Sequence, residues 1–356
     1  MTQRRFPVIE VAGSPEERGY QYGLAAQDRI GDAVQKTFRY LQATVNWPKE
    51  RCLALNPTWL PYIKDFAPDL IEEMHGIAQG CGIPFEEIFF FNYFVDIQYQ
   101  ETSPQGCTTF SAFGPATTDG SVYIGQNGDY LAMYQDDMII LKVDLGGLRL
   151  AMVTYPGMVG ESGLNSAGIG AVANGIMASD ARVGVPFILI MRKILEQERI
   201  GDALSLVISA HRASGTNYVI GDRNGELFNL ECSAQKYDVL YTLDGVRGHS
   251  NHFTSPRMQD LDLIHTLPFC GNSLMRQSRI SKKLAENKGR INLEKMQEFS
   301  RDHVDYPRSL CSHLDETLPE IERIKTLFSV ILQPDGGRMS VAAGNPCQHE
   351  FVEYEI

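Results

Sequence analysis

The sequence SPQGCTTFSAFGPATTDGSVYIGQNGDY, residues 103–130, separates two parts of the chain that differ in their patterns. Helical spacing precedes it, and short runs with β-branched and aromatic residues follow it. Within it, residues 108–113 and 121–127 flank the turn Thr118-Asp119-Gly120 and predict a β-hairpin. Cys107 stands at the start of the first predicted strand, directly after a Pro-Gln-Gly turn. The interpretation of the chain depends on what a cysteine does at this position.

The first 106 residues are mostly helical by their spacing. Ser14-Pro15-Glu16-Glu17 is typical of a helix start, because serine caps, proline suits the first position and Glu17 completes a capping box. Apolar residues then recur at helical spacing and predict one helix as far as Leu41. A second helix is predicted over residues 68–79, and a third begins at Pro84.

The part from Cys107 onward is sheet-rich, with helices inserted. Further strands are predicted at 138–145, 148–155, 169–174, 216–221, 226–233, 326–333 and 339–343, and helices at 185–198, 200–212, 273–287 and 292–302. This order suits an α+β fold in which helices pack outside antiparallel sheets. No linker or repeat interrupts the chain, so residues 1–106 and 107–356 are expected to form one domain.

Composition excludes several functional classes. The net charge is −12 over 356 residues and is evenly spread, so no basic surface for nucleic acid or an anionic membrane is expected. No stretch approaches the roughly 18 apolar residues of a membrane span, and no signal peptide is apparent, which favours a cytoplasmic protein. The seven cysteines are odd in number and lack a repeating spacing, so they predict neither a disulfide framework nor a CxxC zinc site.

The dipeptide Gly106-Cys107 has two interpretations. A lone cysteine is commonly a small buried hydrophobe. Alternatively, its sulfur attacks the carbonyl of Gly106, where no side chain blocks the approach, and hydrolysis of the resulting thioester frees Cys107 as a new N-terminus. The freed residue would carry a thiol and an α-amine of ordinary pKa about 7.7 to 8, so one residue would supply both nucleophile and base.

Several short motifs resemble a known family when they are taken together and in order. They are Glu17-Arg18-Gly19-Tyr20-Gln21-Tyr22-Gly23, Gly76-Ile77-Ala78-Gln79-Gly80, Gly106-Cys107-Thr108-Thr109, Gly125-Gln126-Asn127-Gly128-Asp129, Gly163-Leu164-Asn165-Ser166-Ala167-Gly168, Gly184-Val185-Pro186 and Ser250-Asn251-His252. The chain thereby resembles the acyl-coenzyme A:6-aminopenicillanate acyltransferase family of N-terminal nucleophile hydrolases. The resemblance implies a four-layer αββα sandwich, made as a precursor that cuts itself between Gly106 and Cys107. The two fragments would remain together as a heterodimer.

The same resemblance implies roles for individual residues. Cys107 would attack an amide or thioester carbonyl, and Asp129 would orient its α-amine. Asn251 would donate to the oxyanion together with a backbone N–H. Thr109 and Ser233 match positions that line the family's site. The acyl group of a small-molecule amide or thioester would pass to water or an amine, with no cofactor beyond a coenzyme A thioester as a candidate acyl donor.

One departure from the family concerns substrate recognition. Family members commonly carry an arginine directly after the cysteine of a Tyr-Pro-x-Ser-x-Cys stretch, whereas here Tyr306-Pro307-Arg308-Ser309-Leu310-Cys311 is followed by Ser312. Arg308 is therefore a candidate substrate-binding residue, and the substrate class stays open.

Two other functions remain open from the residues. A papain-like hydrolase would use His249 or His252 as the base to Cys107, and a noncatalytic binding protein would keep the fold without cutting itself. A metal at His249 and His252 is not expected, because a three-residue offset on a strand places them on opposite faces. The pattern GxGxxA at 168–173 fails as a dinucleotide site because it lies in a predicted strand. The aromatic run 89–94 is interpreted as helix core, with an acyl pocket as the alternative.

Overall fold

The computed structural model describes residues 2–101, 106–267 and 270–356. The residues Ser103, Pro104 and Gln105 of the opening motif lie outside the described residues. Gly106 and Cys107 are described. Among the described residues, no helix has the length and apolar character needed to cross a membrane.

Seven helices precede Cys107 in the described part of the chain. They are α1 (Pro15–Ala25), α2 (Gln27–Val45), α3 (Lys49–Leu53), α4 (Asn56–Phe66), α5 (Pro68–Cys81), α6 (Phe85–Phe91) and α7 (Phe94–Glu101). Ser14 caps α1, and its capping box with Glu17 is formed on both sides as predicted. Four helices of the described ranges follow later, namely α8 (Phe187–Leu195), α9 (Ile200–Ser209), α10 (Cys270–Asn287) and α11 (Leu293–Ser300).

Fourteen strands in the described residues form two sheets. They are β1 (Val8–Ala12), β2 (Cys107–Ala112), β3 (Tyr123–Leu131), β4 (Ile139–Asp144), β5 (Arg149–Thr154), β6 (Gly163–Asn165), β7 (Ile169–Ile176), β8 (Gly215–Asp222), β9 (Leu227–Cys232), β10 (Tyr237–Tyr241), β11 (Val246–His249), β12 (Ile324–Gln333), β13 (Arg338–Ala342) and β14 (Val352–Glu355). One sheet has the order β1-β4-β5-β6-β7-β8-β9-β10, and the other has the order β11-β2-β3-β12-β13-β14. All neighbours are antiparallel except β1 and β4.

The two sheets are stacked between two helical layers. Strands β2 and β3 contact β7 across the space between the sheets. Helices α8 and α9 pack on the outer face of the eight-stranded sheet, and α10 and α11 pack on the outer face of the six-stranded sheet. The αββα sandwich expected from the resemblance is therefore confirmed. The start of β2 therefore faces the space between the sheets on one side and the outer helix α10 on the other.

Helices α1 and α5 cross with their backbones in contact. A Cβ at Gly19 would lie 2.0 Å from the carbonyl oxygen of Glu73, and one at Gly76 would lie 2.1 Å from the carbonyl oxygen of Glu16. No side chain fits between helices at this separation, so the crossing requires glycine. The motifs 17–23 and 76–80 thus meet as the two faces of one helix contact.

The buried charge of Glu73 strengthens this crossing. Its carboxylate accepts from Nε of Arg18 at 2.6 Å and from Nη1 and Nη2 of Arg192 at 3.0 and 2.9 Å. Because Arg192 lies on α8, this buried ion pair ties the N-terminal helices to the outer helical layer.

Some local predictions differ from the structure. The single helix predicted through Leu41 is two helices, because Ala26 leaves helical geometry at φ −114° and ψ 15°. Apolar spacing does not detect a break of one residue, since the buried positions continue on either side. The sequence does not predict β1, α3, α4, β6, β10, β11 and β14, nor that α7 is separate from the helix beginning near Pro84. The run 89–94 is buried core, as interpreted.

We expect Gly76→Ala to lower the free energy of unfolding by about 3 kcal/mol or more, because the added methyl meets backbone and not a flexible side chain. Gly201→Ala is the matched control, since a Cβ at this helical glycine meets nothing within 4 Å. Urea denaturation of the two variants beside the natural chain tests this, and equal stability of the two variants would contradict the crossing.

Candidate active site

The start of strand β2 holds Cys107 between two neighbouring strands. Cys107 pairs with Gly128 of β3, and on the other side β11 runs antiparallel to β2 with His249 opposite Thr109. The residues that follow β11 therefore reach the beginning of β2. This pairing brings Asn251 beside Cys107, although 144 residues separate them.

Successive side chains along β2 point alternately into two different layers of the fold. Thr109 donates from Oγ1 to Oδ1 of Asn174 on β7 at 2.7 Å, which places it in the space between the sheets. Phe110 and Ala112 join the core beneath α10 and α11. Cys107 shares the parity of Thr109, so its side chain also faces the space between the sheets.

The thiol of Cys107 is held in its neutral form. Burial raises its pKa to about 12, and the nearby charge of Asp129 adds to this. Its sulfur lies 3.9 Å from the carbonyl oxygen of Asp129, and its backbone N–H donates to Oδ1 of Asn251 at 2.8 Å. A nucleophilic role therefore requires a base that removes the thiol proton.

Arg276 on α10 is a site residue that the sequence did not single out. Its buried guanidinium donates from Nη1 to the carbonyl oxygen of Cys107 at 2.5 Å and to Oγ1 of Thr108 at 2.9 Å, and from Nη2 to Oδ1 of Asn251 at 2.8 Å. Its Nε donates to Oδ1 of Asn272, one turn earlier on the helix, at 2.9 Å. An arginine in an amphipathic helix is normally expected on the solvent face, so nothing in the local pattern marks it.

Asp129 is a buried carboxyl group beside Gly106. Its Oδ1 accepts from Oγ1 of Thr326 on the neighbouring strand at 2.6 Å. Burial raises its pKa to about 7, although the charge of Arg276 and the bond from Thr326 act in the opposite direction. A methyl group at residue 106 would lie 3.5 Å from Oδ2 of Asp129 and 3.4 Å from Nη2 of Arg276. A carboxyl group that titrates near neutral pH thus faces the residue before Cys107.

Asn251 has a defined orientation. Its Nδ2 donates to the carbonyl oxygen of Gly175 at 2.9 Å, while its Oδ1 accepts from both Cys107 and Arg276. Its backbone N–H donates to Oγ of Ser273 on α10. In this arrangement Asn251 holds the peptide nitrogen of Cys107, and the role that the resemblance implies for Asp129, orienting the α-amine, stays a prediction. The predicted donation from Asn251 to an oxyanion stays a prediction.

Two cavities meet at Asp129. The first, called the polar cleft, has an empty volume of about 750 Å³ including its open mouth, and its lining includes Gly106, Asp129, Asn251, Arg276, Arg308 and Ser312. The second, called the apolar pocket, has about 480 Å³ on the same measure and contains Cys107. Its lining is largely aromatic or aliphatic and includes Tyr99, Tyr130, Tyr155, Met158, Phe187 and Phe328.

The structure places the remaining predicted residues in different regions. Arg308 lines the polar cleft together with Ser312 and forms an ion pair with Asp315, so a guanidinium is present in the cleft despite the serine at 312. Ser233 lies in the turn between β9 and β10, where its Oγ donates to Oδ2 of Asp180 at 2.8 Å. It is absent from the described lining of both cavities, and its predicted role remains untested.

The two histidines of the papain-like alternative contact residues other than Cys107. His249 is fully buried, with Nε2 2.8 Å from Oε1 of Glu231. His252 contacts Oγ of Ser273 at 2.8 Å, and burial lowers its pKa to about 4. Neither imidazole is among the described residues that line the apolar pocket around Cys107. Among the described contacts, the thiol of Cys107 is paired with the carbonyl oxygen of Asp129 and not with either imidazole.

Two solved hydrolases are similar to parts of this chain. A mutant of the conjugated bile acid hydrolase from Clostridium perfringens aligns over 70% of this chain and 97% of its own with 12% identity and a TM-score of 0.47. Penicillin V acylase from Agrobacterium tumefaciens aligns over 67% of this chain and 83% of its own with 11% identity and a TM-score of 0.42.

Sequence relatives are found in several lineages. The acyl-coenzyme A:6-aminopenicillanic-acid-acyltransferase 40 kDa form of Emericella nidulans is 25% identical over 342 residues, covering 95% of this chain and 92% of the fungal protein. Protein dcd1A of Dictyostelium discoideum is 24% identical over 256 residues, covering 62% of this chain and 57% of its own. The sequence profile of the family described as acyl-coenzyme A:6-aminopenicillanic acid acyl-transferase matches residues 116–348. Since this match spans well over half of the chain, the protein belongs to that acyl-transferase family.

Proposed function

We propose that this protein is an N-terminal-cysteine amide hydrolase or acyltransferase that activates itself by cleavage between Gly106 and Cys107. The observation that carries the proposal is the placement of Cys107. Its nitrogen is held by Asn251, its thiol faces the apolar pocket, and Gly106 on its other side lines the polar cleft. The bond that would be cut therefore lies at the junction of the two cavities.

The self-cleavage step uses Cys107 and Asp129. Asp129, with a pKa near 7, accepts the thiol proton, directly or through water. The sulfur then adds to the carbonyl carbon of Gly106, the C–N bond to Cys107 breaks, and the nitrogen takes up a proton. Water hydrolyses the thioester to give the Gly106 carboxylate and to regenerate the thiol. The chain then carries a free α-amine at Cys107.

The second step is acyl transfer by the freed cysteine. Asn251 retains the nitrogen of Cys107 and orients the α-amine, which takes the thiol proton. The nearby guanidinium of Arg276 opposes a positive charge on this amine, which keeps it available as a base. Attack on an amide or thioester forms an acyl-thioester on Cys107, and the α-amine returns the proton to the leaving group. Water or an amine then takes the acyl group.

The two cavities suggest which part of a substrate each of them binds. The apolar pocket, whose aromatic and aliphatic lining also includes Gln126, Asp129 and Glu161, suits an acyl group with an apolar chain next to the thiol. The polar cleft, with Arg276 and Arg308 in its lining, suits the polar part that leaves or accepts the acyl group. The name of the fungal relative, which describes an acyl-coenzyme A acyltransferase, supports a thioester or amide substrate of this two-part kind.

We expect the natural chain to separate under denaturing conditions into fragments of residues 1–106 and 107–356, and Cys107→Ala to stay whole at 39.8 kDa. Cys270→Ala is the matched control, because this second thiol lines the polar cleft and should leave cleavage intact. Intact mass spectrometry measures the masses of the natural protein and of both variants. If the natural chain and both variants all remain at full length, self-cleavage is rejected and the noncatalytic binding protein becomes the better account.

The rate of self-cleavage should rise with pH and level off above a midpoint near 7, because ionisation of Asp129 creates the base. Asp129→Asn should slow cleavage by on the order of a hundredfold or more, since an amide cannot accept the thiol proton. Gel electrophoresis of freshly refolded protein measures the rate of cleavage at values from about pH 5 to about pH 9. A pH-independent rate, or normal cleavage by Asp129→Asn, would assign the proton transfer to another group.

Glu161 in the apolar pocket should make stability depend on pH. Burial raises its pKa from the ordinary 4.5 to about 7, so the folded state holds a proton that the unfolded chain releases, and the free energy of unfolding falls as pH rises from 4.5 through about 7. Glu161→Gln should therefore stabilise the protein by on the order of 1–3 kcal/mol above neutral pH, with little gain near pH 4.5. Thermal denaturation at both pH values, with exposed Glu198→Gln as control, checks this. A gain of equal size at both pH values would show that the carboxyl is not protonated on folding.

A further inference from the structure

Four metal-ligating side chains converge outside the apolar pocket, and one of them, His313, lines the polar cleft. They are His303, Cys311, His313 and Cys347, called here the Cys2His2 cluster, and their ligand atoms all lie within 4.8 Å of one another. The first three come from the loop between α11 and β12, and Cys347 follows β13. Neither active-site chemistry nor core packing accounts for two thiols and two imidazoles directed at one point.

Four of the six separations among these atoms are close to the edges of a metal tetrahedron, and the other two, from His303 to the sulfurs, are within 4.8 Å. Zinc bonds of about 2.0 to 2.1 Å to nitrogen and about 2.3 Å to sulfur require edges of roughly 3.3 Å between nitrogens, 3.6 Å between nitrogen and sulfur and 3.8 Å between sulfurs. The Nε2 atoms of His303 and His313 are 3.1 Å apart, and the two sulfurs are 3.5 Å apart. Nε2 of His313 lies 3.6 Å from Sγ of Cys311 and 3.4 Å from Sγ of Cys347.

Two polar neighbours, Asn345 and Lys325, lie beside the sulfurs of this cluster. Nδ2 of Asn345 donates to Sγ of Cys311 at 3.4 Å and to the carbonyl oxygen of Ser312 at 2.6 Å, which fixes both the ligand and its loop. Lys325 interacts electrostatically with both sulfurs as a nearby cation. Cys311 is buried, Cys347 and His313 are half-buried, and His303 is exposed, so a metal ion can enter from the His303 side.

We propose that His303, Cys311, His313 and Cys347 form a structural site for one zinc ion. Four protein ligands complete a tetrahedron, so the site is closed and has no open position for catalysis. Its place in the fold gives it a consequence for the polar cleft, because His313 and Ser312 both line that cleft. The zinc ion joins the loop that carries Arg308 to the edge of the six-stranded sheet. This proposal does not depend on self-cleavage.

The first experiment measures metal in the untagged, full-length protein purified without added zinc or chelator. Elemental analysis should find about one zinc per chain in the natural protein, while Cys311→Ser and Cys347→Ser should lose most of it. Cys270→Ser and His265→Gln are matched controls, because they remove a thiol and an exposed imidazole that lie outside the cluster, and both should keep the metal. His303→Ala should weaken zinc binding by about tenfold or more without abolishing it.

The second experiment remains decisive if the cysteine variants do not fold. The natural protein is stripped with a chelator and titrated with Co²⁺, which should give tetrahedral d–d absorption and thiolate-to-cobalt charge transfer at one equivalent per chain. Zinc should also protect Cys311 and Cys347, but not Cys270, from alkylation as read by peptide mass spectrometry.

Three results would overturn the proposal. They are metal content unchanged in Cys311→Ser, no thiolate charge transfer with Co²⁺, and a Cys311–Cys347 disulfide in protein prepared under reducing conditions. Because each is read without a substrate and independently of chain cleavage, failure of the zinc site is distinguishable from failure of the proposed activity.

Discussion

The buried guanidinium of Arg276 is the constraint on which the site depends. A charge removed from water is tolerated only when oxygen atoms surround it, and here they come from Cys107, Thr108, Asn251 and Asn272. These partners belong to β2, to the segment after β11 and to α10 itself. The hydrogen bonds of this one buried cation therefore hold the outer helix α10 against the six-stranded sheet and fix the start of β2 beneath it.

The same cation also acts on the acid–base properties of its neighbours, although burial has the larger effect. Burial alone drives Asp129 and Cys107 toward their neutral forms, and Arg276 opposes this for both. The outcome differs between the two groups, since the carboxyl titrates near pH 7 whereas the thiol stays protonated. Because the side chains lie on adjacent strands, a neutral nucleophile and a carboxyl able to ionise lie next to Gly106.

The walls of the two cavities have different origins. Strands of both sheets and the aromatic residues between them form the apolar pocket, so its shape follows from the packed core. The polar cleft depends instead on a long loop between α11 and β12, where Arg308, Ser312 and His313 lie. Backbone hydrogen bonds such as those from Cys311 to Asp302 and from His313 to Pro307 hold this loop, and the zinc site proposed at the Cys2His2 cluster would add a further anchor beside the cleft.

Local signals predict most of the longer helices and strands and place Cys107 at the start of a strand. Turn residues and alternation predicted the hairpin, and the Ser14 capping box placed the first helix, because these signals act within a few residues. Long-range packing instead makes Arg276, 169 residues from Cys107, a site residue and brings His303, Cys311, His313 and Cys347 together. Periodicity identifies which face of an element is apolar, but a buried charge or a metal ligand is defined by partners from distant segments. Those partners meet only when the sheets and helices pack.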